Sequence, residues 1–320
     1  MKDGYSRKIN YMRISITDLC NLRCQYCMPE KGIHKKDHRE MLSFEEITEI
    51  VKSAARLGID KIRLTGGEPL VKKDIVKLIE KIASIEGIKD VALTTNGLLL
   101  KDMAKDLHQA GLKRVNISID SLKPDRYEEI TRGGKLNQVL DGIQEALHLK
   151  MAPVKLNVVV IGGVNEDEVE DFAKLTVNDN IDVRFIELMP VGEASGWAKE
   201  RFISNEEVKR RIGGLIPLIN DTSGPARLYQ LPGAKGRIGF INPISEHFCG
   251  ACNRIRLTSD GKLKPCLHSN HEIDLLKVLK EDPRHVDEVL QRAILSKPEK
   301  HYLYTTEHEI GHRNMSEIGG

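Results

Sequence analysis

The stretch "YMRISITDLCNLRCQYCMP" (residues 11–29) leads from a β-strand pattern into three closely spaced cysteines. Its first seven residues predict a strand. The loop that follows places Cys20, Cys24 and Cys27 in the spacing C-x3-C-x2-C. Three soft thiolates suit an iron–sulfur cluster or zinc, and a [4Fe–4S] cluster held by three thiolates leaves one iron free for an outside ligand. Zinc would need a fourth ligand, for which the nearest histidine is His34, and that alternative stays open.

The strand pattern recurs five more times, with helical stretches between the strands. The predicted strands cover residues 11–17, 61–65, 90–96, 113–120, 154–161 and 182–188. The predicted helices cover residues 43–58, 72–85, 101–110, pieces up to about 150, and 166–177. The first helix is capped by Ser43, with Glu46 three residues later. Six βα units predict an α/β fold: an open, partial parallel (βα)6 barrel with its active residues at the carboxyl ends of the strands.

The pattern changes after about residue 190. "GPARLYQLPGAKGRIGFI" (224–241) predicts a hairpin with a Pro-Gly turn, and a cysteine-bearing segment and two short helices follow it. We therefore predict two domains. Residues 1–190 form the barrel core, and residues 191–320 form a smaller α+β extension that closes the open side of the barrel.

Composition narrows the function classes. The 320 residues carry a net charge of +2 and only 4% aromatic residues, which argues against a dedicated nucleic-acid or membrane binder. The sequence has no signal-peptide pattern and no apolar run of membrane-spanning length, so we expect a cytoplasmic protein. Six cysteines in a reducing compartment favour metal ligation over disulfides.

The other three cysteines form a second triplet, Cys249, Cys252 and Cys266, in the spacing C-x2-C-x13-C. This spacing alone fits zinc about as well as an iron–sulfur cluster. Arg254 and Arg256 alternate on a β-type stretch, so both face the same side, next to the metal. Arginines beside an open metal position favour a bound anion, and the alternative is a solvated strand face.

The first triplet with Tyr26 beside its last cysteine resembles the signature of the radical S-adenosylmethionine (SAM) superfamily. "LTGGEPL" (64–70), after the second strand, is similar to the glycine-rich turn that binds the methionine part of SAM there. With the second triplet, "CNRIRLT" (252–258) and the terminal Gly319-Gly320, essentially the whole chain resembles the GTP 3′,8-cyclase (MoaA) family. That family begins molybdenum cofactor biosynthesis.

The resemblance implies a radical SAM cyclase, a lyase, with two [4Fe–4S] clusters. In the family, SAM binds the open iron of the first cluster and yields a 5′-deoxyadenosyl radical, while the second cluster holds the guanine of GTP. The radical removes the ribose 3′ hydrogen and the carbon radical attacks C8, which gives 3′,8-cyclo-7,8-dihydro-GTP. The expected partners are GTP, an external one-electron donor and the next enzyme, cyclic pyranopterin monophosphate synthase. A homodimer is possible, and neither nucleic acid nor membrane is expected.

The resemblance also assigns site residues. All six cysteines become metal ligands. The SAM contacts fall on Tyr26, Gly66, Gly67, Glu68, Ser118 and Met189, with Glu68 taking the ammonium. The GTP contacts fall on Arg13, Lys61, Arg63, Thr94, Lys155, Arg184, Arg254, Ile255 and Arg256. The residues expected to act directly in the reaction are Arg254, Arg256, Gly319 and Gly320. Basic side chains inside a barrel are costly unless an anion meets them, and a triphosphate is such an anion.

Two other function classes stay open. One is a different radical SAM enzyme with an auxiliary cluster that acts on a peptide. The other is a non-enzymatic iron–sulfur protein such as a redox sensor. "HEIGH" (308–312) matches the zinc-protease motif H-E-x-x-H, but Gly311 disfavours the helix which that motif needs.

Overall fold

Twelve strands form one sheet in the computed structural model, which describes residues 1–33, 36–219, 224–301 and 313–318. In chain order they are β1 (Tyr11–Ser15), β2 (Lys61–Thr65), β3 (Asp90–Thr95), β4 (Arg114–Ser118), β5 (Val154–Val160), β6 (Ile181–Glu187), β7 (Ile216–Pro217), β8 (Ala226–Gln230), β9 (Ile238–Ile241), β10 (Arg254–Leu257), β11 (Lys262–Lys264) and β12 (Ile273–Asp274). All six predicted parallel strands are confirmed, each within two residues of its predicted ends.

Helices connect the strands. They are α1 (Phe44–Arg56), α2 (Ile75–Ala83), α3 (Leu100–Gln109), α4 (Pro124–Thr131), α5 (Leu136–His148), α6 (Val169–Asn178), α7 (Ser195–Glu200), α8 (Asn205–Ile212), α9 (Leu275–Glu281), α10 (Val286–Leu295) and α11 (Met315–Ile318). The cap of α1 is confirmed: the Glu46 amide donates to Ser43 Oγ at 3.1 Å, and the Ser43 amide donates to Glu46 at 2.7 Å. Helix α2 begins three residues later than expected, because Asp74 has a left-handed φ of 62°.

The C-terminal third of the chain extends the sheet at both edges. The strand order is β12-β11-β10-β1-β2-β3-β4-β5-β6-β9-β8-β7. β10 pairs in parallel with β1, and β9 pairs in parallel with β6, so eight neighbouring strands run parallel. The predicted hairpin is confirmed as antiparallel β8 and β9. The six predicted parallel strands are therefore joined by two further parallel strands, β10 and β9, which look isolated in the sequence and find edge partners far away along the chain.

The sheet is not closed into a barrel, and its two faces differ in chemistry. On β5, Val154, Leu156 and Val158 are buried in the apolar core under the helices. The alternate residues Lys155 and Asn157 face the opposite side, where they line a cavity. This alternation follows from the period of two along a strand and recurs on the other parallel strands. Within the described residues, no helix has the length and apolarity needed to cross a membrane.

Candidate active site

One cavity of about 550 Å³ lies on the polar face of the sheet. Residues of the parallel strands and residues of the C-terminal third line it together. All six cysteines reach it: Cys20, Cys24, Cys27, Cys249, Cys252 and Cys266. The fold therefore brings two cysteine triplets, separated by more than 200 residues of sequence, to the same space.

The first triplet lies in the loop after β1, and the glycine-rich turn after β2 holds that loop. The Gly67 amide donates to the Thr17 carbonyl at 2.8 Å, and the Glu68 amide donates to the Leu19 carbonyl at 2.9 Å. A Cβ atom on Gly66 would overlap the Thr17 carbonyl, and one on Gly67 would overlap that of Leu19. The glycines are required here because two backbones touch, and both residues also line the cavity.

Glu68 is a buried residue of the glycine-rich turn. It is 1% exposed and is not among the described residues that line the cavity. It accepts hydrogen bonds from the Leu70 amide at 2.9 Å, from Thr95 Oγ1 at 2.7 Å and from the Asn96 amide at 2.6 Å. Burial raises the pKa of Glu68 to about 7. The side chain thus ties the glycine-rich turn to the end of β3, and its contact with the SAM ammonium stays a prediction.

Tyr26 is anchored by a residue that the sequence analysis missed. Its hydroxyl donates to Asp120 Oδ2 at 2.7 Å, and the Val159 amide donates to Asp120 Oδ1 at 2.8 Å. Burial raises the pKa of Asp120 to about 6. The sequence position of Asp120 could have identified it as a candidate. It lies two residues after the carboxyl end of β4, where the active residues of parallel sheets are typically found. Of the other SAM candidates, Ser118 and Met189 line the cavity.

The donor chemistry of the first triplet fits an iron–sulfur cluster. Burial raises the pKa of Cys20 to about 11 and that of Cys27 to about 12, and it also raises the pKa of Cys24. Deprotonating these thiols therefore requires a bound positive charge, such as cluster iron. Among the described residues, no group of three His, Cys, Asp or Glu side chains is arranged to hold a single metal ion.

The second triplet lies on the segment around β10. Cys249 and Cys252 precede that strand, and Cys266 follows β11. Burial alone would raise the pKa of Cys252, but the nearby cations Arg254 and Lys297 outweigh it, and the pKa falls to about 7. This thiol is therefore more readily available as a thiolate than those of Cys20, Cys24, Cys27 and Cys249, whose pKa values are raised.

The predicted basic residues share the cavity. Arg13, Lys61, Arg63, Lys155, Arg184, Arg254 and Arg256 all line it, together with Thr94. Ten Lys and Arg residues against four Asp and Glu residues are found among the described lining residues. This excess of positive charge at a half-buried surface favours a polyanionic ligand.

Some of these buried cations lack full hydrogen-bond or ion-pair partners among the described residues. The Nε atoms of Arg13 and Arg184 are buried without a hydrogen-bond partner among the described residues. Lys155 is 7% exposed, and its Nζ lies 3.8 Å from Asp182 Oδ2, which also pairs with Arg237 at 2.7 Å. Burial and the nearby Arg184 lower the pKa of Lys155 to about 7. Buried charges in this state are stabilised when an anion binds.

Four of the predicted site residues are not among the described residues that line the cavity. The Ile255 side chain is fully buried in the core, because it alternates with Arg254 and Arg256 on β10. Glu68 is the second. Gly319 and Gly320 lie outside the described residues, as does "HEIGH". The residues just before the glycines reach the site: Met315 lines the cavity, and Arg256 Nη1 donates to the Ile318 carbonyl at 3.5 Å.

Polar lining residues beyond the predicted set include Tyr11, Asn116, Asn157 and Lys297. Strand periodicity could have identified two of them, because residues two positions apart on a strand face the same side. Tyr11 lies two residues before Arg13, and Asn157 lies two residues after Lys155. Arg63 donates to the Tyr11 hydroxyl and, through Nη1, to Thr94 Oγ1 at 3.4 Å. Lys297 had no such signal, because it follows a helix far from either triplet in sequence.

Comparisons with known proteins agree with this site. Residues 14–176 match the Radical SAM superfamily, and residues 181–303 match the family Molybdenum Cofactor Synthesis C. The chain is 71% identical over 320 residues to the GTP 3′,8-cyclase of Alkaliphilus metalliredigens (strain QYMF) and 66% identical to that of Alkaliphilus oremlandii (strain OhILAs), with 100% of each chain covered. It is 53% identical to the GTP 3′,8-cyclase of Peptoclostridium acidaminophilum, over 99% of this chain and 98% of that one.

Among solved structures, Streptococcus suis SuiB is similar in fold, with a TM-score of 0.61 at 16% identity. The match covers 86% of this chain and 66% of SuiB. At this identity the likeness concerns the fold alone. The cavity, the two cysteine triplets and the full-length relatives lead to one conclusion: the chain belongs to the radical SAM superfamily and, within it, to the GTP 3′,8-cyclase family.

Proposed function

We propose that this chain converts GTP to 3′,8-cyclo-7,8-dihydro-GTP by radical SAM chemistry, the first step of molybdenum cofactor biosynthesis. The observation that carries the proposal is the single cavity in which both cysteine triplets face one set of basic side chains. The proposal agrees with full-length relatives that are named GTP 3′,8-cyclase.

The first triplet would hold a [4Fe–4S] cluster, with SAM beside it. When bound, these groups supply an electron and a 5′-deoxyadenosyl radical. The chain's own contribution is to position them. Tyr26 is fixed by Asp120, and the glycine-rich turn holds the cysteine loop through two backbone hydrogen bonds. Ser118 and Met189 line the same cavity and would contact SAM.

The second triplet would hold a second [4Fe–4S] cluster that takes the guanine, with Arg254 and Arg256 beside it. The triphosphate would lie on the basic side chains of the central strands, which are Arg13, Lys61, Arg63, Lys155 and Arg184. Its oxygens would satisfy the unpartnered Nε atoms of Arg13 and Arg184. A partly enclosed cavity would also limit the access of bulk water to a carbon radical.

The decisive experiment is anaerobic reconstitution with iron and sulfide, followed by reduction with dithionite in the presence of SAM and GTP. We expect about eight irons per chain, since each cubane cluster holds about four. We also expect 5′-deoxyadenosine and a 3′,8-cyclised nucleotide that form with GTP but not with ATP. Failure to cleave SAM would contradict the proposal, and zinc bound at the second triplet would contradict the second cluster.

Matched variants separate the two triplets. Replacing Cys20, Cys24 and Cys27 by Ala should abolish SAM cleavage and leave about four irons. Replacing Cys249, Cys252 and Cys266 by Ala should also leave about four irons but should abolish GTP-dependent turnover. A protein without the second triplet that still cyclises GTP would show that the guanine is held elsewhere.

The finer assignments follow from the same chemistry. We infer an external one-electron donor, because the reaction needs an electron that the chain's own residues do not supply. The product would pass to cyclic pyranopterin monophosphate synthase. A cytoplasmic location fits six free thiols, and the homodimer stays a prediction that light scattering of the reconstituted protein would test. The alternative of a radical SAM enzyme that modifies a peptide is supported only by the similarity in fold to SuiB.

A further inference from the structure

Lys297 is a buried lysine that lies against the second triplet. It is 3% exposed and lines the cavity. Its Nζ donates to the carbonyl of Pro265, the residue before Cys266, at 2.7 Å. Cys249 and Cys252 line the same cavity, and the positive charge of the ammonium acts electrostatically on both thiols. One side chain therefore reaches the surroundings of all three cysteines.

Lys297 differs from the other buried lysines of the described chain. Lys155 has Asp182 at 3.8 Å, and Lys264 has Glu272 at 3.0 Å. No carboxylate among the described residues lies within ion-pair distance of Lys297. Burying an ammonium is costly unless an anion compensates it. The groups beside Lys297 that can become anionic are the thiols of the second triplet.

The backbone around Lys297 is fixed to the same triplet by Arg7. Arg7 Nη2 donates to the Pro298 carbonyl at 2.7 Å, and its Nη1 donates to the carbonyls of Glu299 at 2.9 Å and Cys249 at 2.8 Å. Arg7 is itself held by Asp3 at 2.6 Å. The chain that carries Lys297 and the loop that carries Cys249 therefore share one buried guanidinium, which fixes where the ammonium lies.

We propose that Lys297 is a positioning and charge-compensating residue for the group held by Cys249, Cys252 and Cys266. Its ammonium lies in the same cavity as the three sulfurs, and its positive charge favours the reduced, more negative state of the bound group. The inference rests on the proposed function, in that this group is taken to be an iron–sulfur cluster. Hydrogen bonds to the sulfurs and the net charge nearby are known to set cluster potentials.

The test uses full-length protein in which Cys20, Cys24 and Cys27 are replaced by Ala, so that only the second cluster can form. In this background we compare Lys297, Lys297→Met and Lys297→Arg by iron content and by an EPR-monitored redox titration. Lys297→Met keeps the apolar stem of the side chain but loses the charge. We expect the equilibrium constant for reduction to fall tenfold or more, which equals a shift of about 59 mV to lower potential for a one-electron couple. Lys297→Arg should restore most of the potential.

The control is Lys105→Met, the same charge change at an exposed position on α3, which should leave the potential unchanged. Equal potentials for Lys297 and Lys297→Met would overturn the inference. Loss of iron from Lys297→Met but not from Lys297→Arg would support it, whereas loss from both would overturn it in favour of a purely steric role. If the background protein with Lys297 intact binds no iron, the proposed second cluster itself fails, which is a separate result.

Discussion

Arg313 anchors the last described segment of the chain, residues 313–318, to the rest of the structure. Its guanidinium donates to Glu272 at 2.8 and 2.7 Å and to Asp260 at 3.1 and 3.0 Å. The Arg313 side chain is 18% exposed. These contacts hold α11 where Met315 lines the cavity and the Ile318 carbonyl meets Arg256. We predict that Arg313→Ala releases this segment and slows GTP cyclisation.

The free-energy cost of Arg313→Ala depends on which ion pairs Asp260 and Glu272 retain after the substitution. Removing one partner of a buried ion pair costs about 3–5 kcal/mol. Here the loss is smaller, since Asp260 still has Lys36 at 2.9 Å and Glu272 still has Lys264 at 3.0 Å. We therefore expect about 2 kcal/mol, which corresponds to an approximately thirtyfold shift toward the released segment at 1.36 kcal/mol per factor of ten.

Hydrogen exchange measures this shift directly. The Glu317 amide donates to the Asn314 carbonyl at 3.0 Å, and its protection should fall by about thirtyfold if docking protects it. Arg313→Lys should lie between Ala and the native protein, because a lysine keeps the charge but not the paired geometry. Arg284→Ala serves as the control, since the Arg284 side chain is 89% exposed and its ion pair among the described residues is the local one with Asp282. Unchanged protection and unchanged cyclisation in Arg313→Ala would refute the reasoning.

Two further predictions address the first triplet and the proposed phosphate site. Gly67→Ala places a Cβ onto the Leu19 carbonyl, so we expect the protein to lose the iron held by the first triplet, about four atoms per chain. Gly196→Ala, where a Cβ meets nothing within 4 Å, should keep this iron, and full iron content in Gly67→Ala would contradict the packing argument. Lys155 has a pKa lowered to about 7, so its side chain is protonated below pH 7 and neutral above. A bound anion raises this pKa, and above pH 7 the anion therefore binds together with a proton that Lys155 takes up. GTP affinity measured by calorimetry should therefore fall by up to tenfold per pH unit above pH 7. In Lys155→Met this contribution to the pH dependence of GTP affinity should be absent. The same pH dependence in both proteins would show that Lys155 does not bind the phosphates.

Strand periodicity explains why much of the site could be predicted. A period of two places Arg13, Lys61, Arg63 and Lys155 on the face opposite the apolar residues, and the apolar residues fix that face toward the helices. The capping box of α1 is also local, so three residues of sequence suffice to identify it.

Other features depend on contacts that no local pattern records. Glu68 accepts hydrogen bonds from Thr95 and Asn96, at the end of the next strand, and no pattern around Glu68 indicates these partners. Lys297 becomes part of the site because Arg7, 290 residues earlier, holds its backbone. Asp120 acquires its role from Tyr26 across the cavity. In each case the deciding partner comes from a different element, so the role emerges only when the sheet is assembled.

The pairing of β1 with β10 and of β6 with β9 has a consequence for synthesis. The six inner strands are complete when Glu187 has been made, but Arg254, which begins β10, follows it by 67 residues. At about 5–20 residues per second, the β1 edge waits roughly 3–13 s on the ribosome for its partner. During that interval the nascent chain has an open edge that another strand can join, and the first cysteine loop has been made while the second triplet has not. The order of translation would therefore allow iron and sulfide to reach the first triplet before the cavity is complete.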